Sequence, residues 1–122
     1  MTFSKPVRTL LETTKILGVR AGKAPHRFVA VWVVLVGARA FVRSWSDQPG
    51  GWYRAFVAEP LGVIQAGERE VRVRTRKTRG ERLLDRIDAA YAAKYVTPGA
   101  RKYVRGFRAP RRRATTLELL PR

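Results

Sequence analysis

Phe28-Val29-Ala30-Val31-Trp32-Val33-Val34-Leu35-Val36-Gly37-Ala38-Arg39-Ala40-Phe41-Val42-Arg43-Ser44-Trp45 is the stretch that decides the fold. Its first nine residues are dominated by β-branched and aromatic side chains, the composition of a strand. Gly37-Ala38 puts glycine at the first central position of a type II′ turn, and Ala40 to Trp45 returns antiparallel. A two-residue turn sets the register. Val36 faces Arg39, Val34 faces Phe41, Trp32 faces Arg43 and Ala30 faces Trp45 on one side. Leu35–Ala40, Val33–Val42 and Val31–Ser44 pair on the other. Neither side is polar, apart from its end at Arg43 and Ser44. A sheet with one wet face alternates, so both faces of this hairpin must be covered. The candidate covers are a second subunit, the long helix of the chain or a bound ring system.

Working outward, Ser4 is placed to cap a short helix with Pro6 in its first turn, running to about Leu11. Thr13 to Arg20 reads as the first strand, followed by a polar turn from Ala21 to His26. Gly51 to Ala58 reads as a short helix that stops before Pro60. Leu61 to Ala66 and Arg69 to Lys77 form a second hairpin. In its second arm Val71, Val73 and Thr75 alternate with an outward comb of Arg72, Arg74 and Arg76. Glu81 to Tyr95 carries Leu83, Leu84, Ile87, Tyr91 and Tyr95 on one helical stripe. Pro98-Gly99 ends it, Ala100 to Phe107 adds basic helical turns, and Thr115 to Leu120 closes as a strand. Six strands with short helices between them predict a mainly β fold, a small closed or split antiparallel β-barrel filling one domain, residues 1–122.

Composition narrows the chemistry. The 122 residues contain no cysteine and one histidine, which excludes disulfides, thiolate catalysis, thiolate metal sites and a multi-histidine metal site within one chain. No metal ligand set is expected. No secretory signal stands out near Met1, and the apolar run from Phe28 to Ala38 is too short to span a bilayer. The expectation is a cytoplasmic protein without membrane insertion. Twenty-six cations against nine carboxylates give a formal charge of +17, hence a positive field attractive to anions.

Arg43 and Ser44 leave the sheet just before Gly50-Gly51-Trp52-Tyr53-Arg54. Arginine, a hydroxyl and the free N–H groups of a glycine-led helix start suit an anion such as phosphate, and Trp52 and Tyr53 could bracket a flat ring. These parts point to a phosphate-bearing, flat, heterocyclic cofactor. By this reading Arg43→Ala weakens cofactor binding and leaves the fold intact. The same residues have plainer uses: Arg43 stacking on Trp32, and Trp52 and Tyr53 plugging a barrel end. Tyr91 and Tyr95, with Lys94 beside them, could supply a proton to a substrate or simply pack. A second basic cluster, Arg101, Lys102, Arg105, Arg108, Arg111, Arg112 and Arg113, is interleaved with Tyr103 and Phe107. It has the ingredients of a nucleic-acid platform, of a seat for an anionic cofactor tail, or of a solvated loop.

The runs Val31 to Val34, Val42-Arg43-Ser44, Gly50 to Ala55, Asp88-Ala89-Ala90-Tyr91, Lys94-Tyr95, Ala114 to Leu117 and Pro121-Arg122 together resemble the family known as domain of unknown function 2255. That family is similar to the split β-barrel flavoproteins, which include pyridoxamine-phosphate-oxidase-like proteins and deazaflavin-dependent nitroreductases. The resemblance implies a six-stranded barrel, a homodimer, and FMN or a deazaflavin held at the subunit interface for hydride transfer to a small molecule. It implies that Arg43, Ser44 and the Gly51–Trp52 backbone anchor phosphate while Trp52, Tyr53 and Arg54 abut the ring. Trp32 and Gly50 complete the candidate set. Tyr53 and Tyr91 are the candidate proton donors. Ala55 stands where the nitroreductase relatives carry asparagine. The alternative is a cofactor-free module that binds nucleic acid or another polyanion through its basic surface.

Overall fold

The computed structural model describes residues 2–22 and 27–122. His26 and most of the turn expected around it lie outside the described residues. The elements follow in chain order: α1 Lys5–Thr13, β1 Leu17–Ala21, β2 Val29–Val31, β3 Val33–Val36, β4 Arg39–Val42 and α2 Trp52–Ala58. After them come β5 Leu61–Ala66, β6 Arg69–Lys77, α3 Glu81–Lys94, α4 Pro98–Gly106, α5 Pro110–Arg113 and β7 Leu117–Pro121. All strands pair antiparallel, in the order β2-β1-β5-β6-β7-β4-β3. The two ends of that order, β2 and β3, are consecutive in the chain. The sheet therefore curls into a nearly closed barrel.

The expected six strands become seven because the long apolar stretch breaks at Trp32. The broken backbone needs partners, and helix α3 supplies them. The Tyr91 hydroxyl donates to the Trp32 carbonyl at 2.9 Å, and the Val33 N–H donates to the Tyr95 hydroxyl at 3.1 Å. Lys94 Nζ donates to the Val33 carbonyl at 2.7 Å and to that of Leu11 at 2.9 Å. With these groups satisfied from outside the sheet, β2 turns away to pair with β1 while β3 stays with β4.

The hairpin register holds from Val33–Val42 to Val36–Arg39, and Gly37 has φ 61° while Ala38 does not take a positive φ, as a type II′ turn requires. Beyond Val42 the expected pairs Trp32–Arg43, Val31–Ser44 and Ala30–Trp45 do not form, since β2 has left for β1. Ser4 occupies the helix start without a side-chain capping bond.

Both faces of the hairpin are covered, and from within the chain. Val33, Ala40 and Val42 face the barrel interior with Leu17, Val19, Ile64, Val73, Leu117 and Leu119, where α1 and α2 add Leu11 and Phe56. Val34, Val36 and Phe41 face outward onto Leu84, Ile87, Tyr91 and Tyr95 of α3, with Val104 and Phe107 beyond. The long helix is the cover, so the doubly apolar hairpin does not itself require a second subunit. No helix among the described residues is long and apolar enough to cross a membrane.

Candidate functional site

Arg43 follows β4 and is among the largest side chains fully buried in the barrel wall. Its Nε donates to Thr116 Oγ1 at 2.7 Å. Its Nη1 donates to Asp88 Oδ1 at 2.5 Å and to the Phe107 carbonyl at 3.1 Å. Nη2 has no partner. Buried guanidinium nitrogens are seldom left so, because an unmet donor costs free energy. Asp88 also faces Arg113 at 3.4 Å and Arg108 at 4.0 Å, so one carboxylate from α3 holds charges from β4 and from the basic C-terminal segments.

Arg43 forms part of the wall of a slot of about 240 Å³ whose other walls are Ala30, Val31, Trp32, Trp45, Trp52, Tyr103 and Phe107. The break at Trp32 makes this slot, because it parts β2 from β4 and leaves aromatic side chains around the gap. Trp32 stacks on Tyr95 with ring centres 4.2 Å apart and planes within 10°. Phe107 and Tyr103 meet Trp32 edge-on at 5.9 and 6.4 Å. Trp45 packs edge-on to Tyr103 at 5.3 Å, and the Arg112 guanidinium lies 3.5 Å from the Trp45 ring centre while its Nε donates to the Trp45 carbonyl. Beyond Trp45 opens a second cleft, about 540 Å³, lined by Ser46, Asp47, Arg111, Arg112 and Thr115 among others.

Trp32, Arg43 and Trp52 of the expected set meet in this slot. The remainder do not. Ser44 is tied down: its N–H donates to Thr115 Oγ1 at 2.9 Å and its hydroxyl donates to the Ser46 carbonyl. Gly50 takes φ 84° in the turn before α2, and the Gly51 N–H donates to the Gln48 carbonyl at 3.1 Å. Tyr53 is buried in the barrel core with its hydroxyl 3.5 Å from the Ala114 carbonyl. Arg54 is exposed, donates to the Asp47 carbonyl at 2.8 Å and pairs with its carboxylate at 3.7 Å. Of the expected phosphate clasp of Arg43, Ser44 and the Gly51–Trp52 backbone, Arg43 Nε and Nη1, the Ser44 N–H and hydroxyl and the Gly51 N–H are engaged within the protein, while Arg43 Nη2 is not. Nor does Arg43 stack on Trp32; its guanidinium lies 5.8 Å from the Tyr91 ring centre. Burial also makes Arg43 a core side chain, so its truncation would not leave the fold untouched.

Tyr91, a candidate proton donor, sits in the packing between α3 and the outer face of β3 and β4. It is fully buried, its hydroxyl is held by the Trp32 carbonyl, and burial pushes its phenol far above the ordinary value. Trp45, Tyr103 and Phe107 complete the slot, although the sequence offered them only as a hairpin end and as aromatics among basic residues. The signal for Tyr103 and Phe107 was present in the interleaving of aromatics and cations between Arg101 and Arg113. Among the described residues no group of carboxylates and imidazoles is placed to hold a metal.

Fold and slot together define a small antiparallel barrel with an aromatic, cation-backed cavity at its kinked strand. Residues 11–119 match a family described as "Uncharacterized protein conserved in bacteria (DUF2255)", and the chain belongs to it. The barrel is similar to the crystal structure of an FAD-binding protein from Mesorhizobium loti, with TM-score 0.56 and 14% identity over 98% of this chain and 88% of that one. At that identity the likeness establishes a shared fold. No curated protein matches the chain.

Proposed function

We propose that the slot takes the planar ring of a flavin or deazaflavin and that the protein is an oxidoreductase passing hydride to a small molecule, in the manner of nitroreductases and quinone reductases. The observation that carries this reading is a cavity walled by three tryptophans, Tyr103 and Phe107, backed by a buried guanidinium with one unpartnered nitrogen. Aromatic walls suit a flat heterocycle, and offset or edge-on contacts with one contribute about 0.5–1.5 kcal/mol each. The relative of similar fold, described as FAD-binding, supports a flavin.

The residues fit such a ring. At about 240 Å³ the slot lies under the roughly 300–1,000 Å³ typical of sites that enclose a whole ligand, so it suits a ring system and not an entire nucleotide. An anionic tail would leave past Trp45 into the adjoining cleft, where Arg112 and the exposed Arg111, 3.5 Å from Asp47, line the wall. When bound, the ring itself supplies the hydride chemistry. Arg43, whose charge Asp88 balances, keeps Nη2 as an unengaged donor for a heteroatom of the ring. Trp32, Trp52 and Phe107 exclude water from it.

A homodimer belongs to the same proposal. Trp45 and Tyr103 remain 43% and 44% exposed at the rim, and a second copy seated there would close the slot. The experiment is titration of the purified protein with riboflavin, FMN and a deazaflavin, followed by tryptophan fluorescence and visible absorbance, with sedimentation velocity in parallel. Quenching that saturates supports the reading. No quenching with any of the three rejects the cofactor, and a monomer at all concentrations rejects the dimer.

A further inference from the structure

Helices α3 and α4 cover the outside of β3 and β4, while among the described residues no element covers the outside of β5 and β6, which holds the arginine comb. Arg72, Arg74 and Arg76 alternate with the inward Val73 and Thr75 and are all exposed. Alternate residues of a strand lie about 6.7 Å apart, close to the separation of successive phosphates along a nucleic-acid strand. Register extends the row sideways: Arg20 pairs opposite Val63, which in turn faces Arg72, and Arg76 faces Glu118.

Two carboxylates belong to this face, and neither touches the centre of the comb. Glu70 is 3.9 Å from Arg20, while Glu118 is buried between Arg39 and Arg76, each at 2.8 Å. Among the described residues no carboxylate pairs with Arg72 or Arg74. The side chains facing them from β5 and β7, Leu61, Val63 and Leu120, are half-buried and aliphatic. A second copy of the chain placed here would bring rows of like charge together, which disfavours self-association through this face.

We propose that the outer face of β5 and β6 is a docking surface for the phosphate backbone of double-helical nucleic acid, independent of the aromatic slot. Phe28 lies under the Arg20 guanidinium at 4.4 Å, and β5, β6 and β7 contain no aromatic residue to stack unpaired bases. Binding is consequently through phosphates, indifferent to sequence and steeply dependent on salt.

The test uses the full chain and a fluorescein-labelled 20-base-pair DNA duplex, with anisotropy read across a series of KCl concentrations. The double variant Arg72→Gln/Arg74→Gln removes two exposed cations without touching the Glu118 pairs. Arg101→Gln/Arg105→Gln removes the same charge from α4 and serves as the control. Each lost phosphate contact lowers the slope of log affinity against log salt by about 0.9, so the comb variant should lose close to two units of slope and the control none. Equal losses in both variants would show unlocalised attraction and overturn the proposal. So would tighter binding to a single strand of the same length, or binding to anionic phosphatidylserine vesicles with none to the duplex. A dimer that falls apart in the comb variant would assign the face to a second copy instead. Duplex binding that persists in protein unable to quench with flavin would leave this proposal standing while the cofactor reading falls.

Discussion

Arg43 and Asp88 meet at 2.5 Å, with the guanidinium wholly shielded from water and the carboxylate side chain 11% exposed. The pair joins the end of β4 to the middle of α3, so it fixes the helix whose tyrosines break the neighbouring strand. Removing one partner of a shielded pair leaves an uncompensated charge, a loss of about 3–5 kcal/mol. Asp88→Ala should therefore lower stability by about 3 kcal/mol, read as a fall in the urea midpoint at unchanged slope. A loss below about 1 kcal/mol would mean that Arg43 finds solvent or another partner, and the pair would not be the clamp described here.

Acid should act through Glu118. Burial pushes its carboxyl up, but hydrogen bonds from Arg39 and Arg76, with their charges, outweigh that and hold it below the ordinary value of 4.5. The folded chain thus releases this proton more readily than the unfolded one. Its contribution to stability is present above about pH 4.5 and is lost as pH falls through the lowered value. Glu118→Gln should flatten the acid limb of a stability–pH profile. Parallel limbs in the two proteins would assign acid sensitivity to other carboxylates.

Much of the barrel could be read from residue order, for local reasons. Strict alternation in β6, the β-branched content of β3 and the glycine at position 37 each determine a conformation within a few residues. The break at Trp32 could not be read that way. It depends on Tyr91, Lys94 and Tyr95 arriving from some sixty positions away to satisfy the Trp32 and Val33 backbone. The slot inherits the same difficulty. Trp32 and Arg43 were expected as cross-strand neighbours and instead share a cavity, while Trp45 and Phe107 come together only after α4 folds back. At position 43 residue order shows the charge and hides the partner that balances it, Asp88.

Alkaline stability should rise and then fall. Burial, with the Lys15 charge nearby, brings the Lys94 ammonium down to about 8, so between pH 8 and 10.5 the unfolded chain binds more protons and stability rises with pH. Tyr95 works in the opposite direction. Burial pushes its phenol up to about 12, so above pH 10 the unfolded chain gives up that proton first and stability declines. Lys94→Gln should remove the rise between pH 8 and 10 and leave the later decline. An identical rise in both proteins would show that Lys94 is more freely solvated than its bonds to Leu11 and Val33 imply.

Gly106 sets the position of Trp45. A Cβ at residue 106 would overlap the far edge of the Trp45 ring, which is held on its other contacts by Arg112 and Tyr103. Indole is rigid, so the strain of Gly106→Ala is relieved by moving the whole ring outward, away from the slot. Barrel packing does not involve this contact, and helix α4 gains a better helix former at its end. The variant should therefore keep its urea midpoint, show a changed tryptophan emission, and bind riboflavin about 2- to 10-fold more weakly, the worth of one lost aromatic contact. Unchanged emission together with unchanged riboflavin affinity would mean that Trp45 is not a wall of the ligand site.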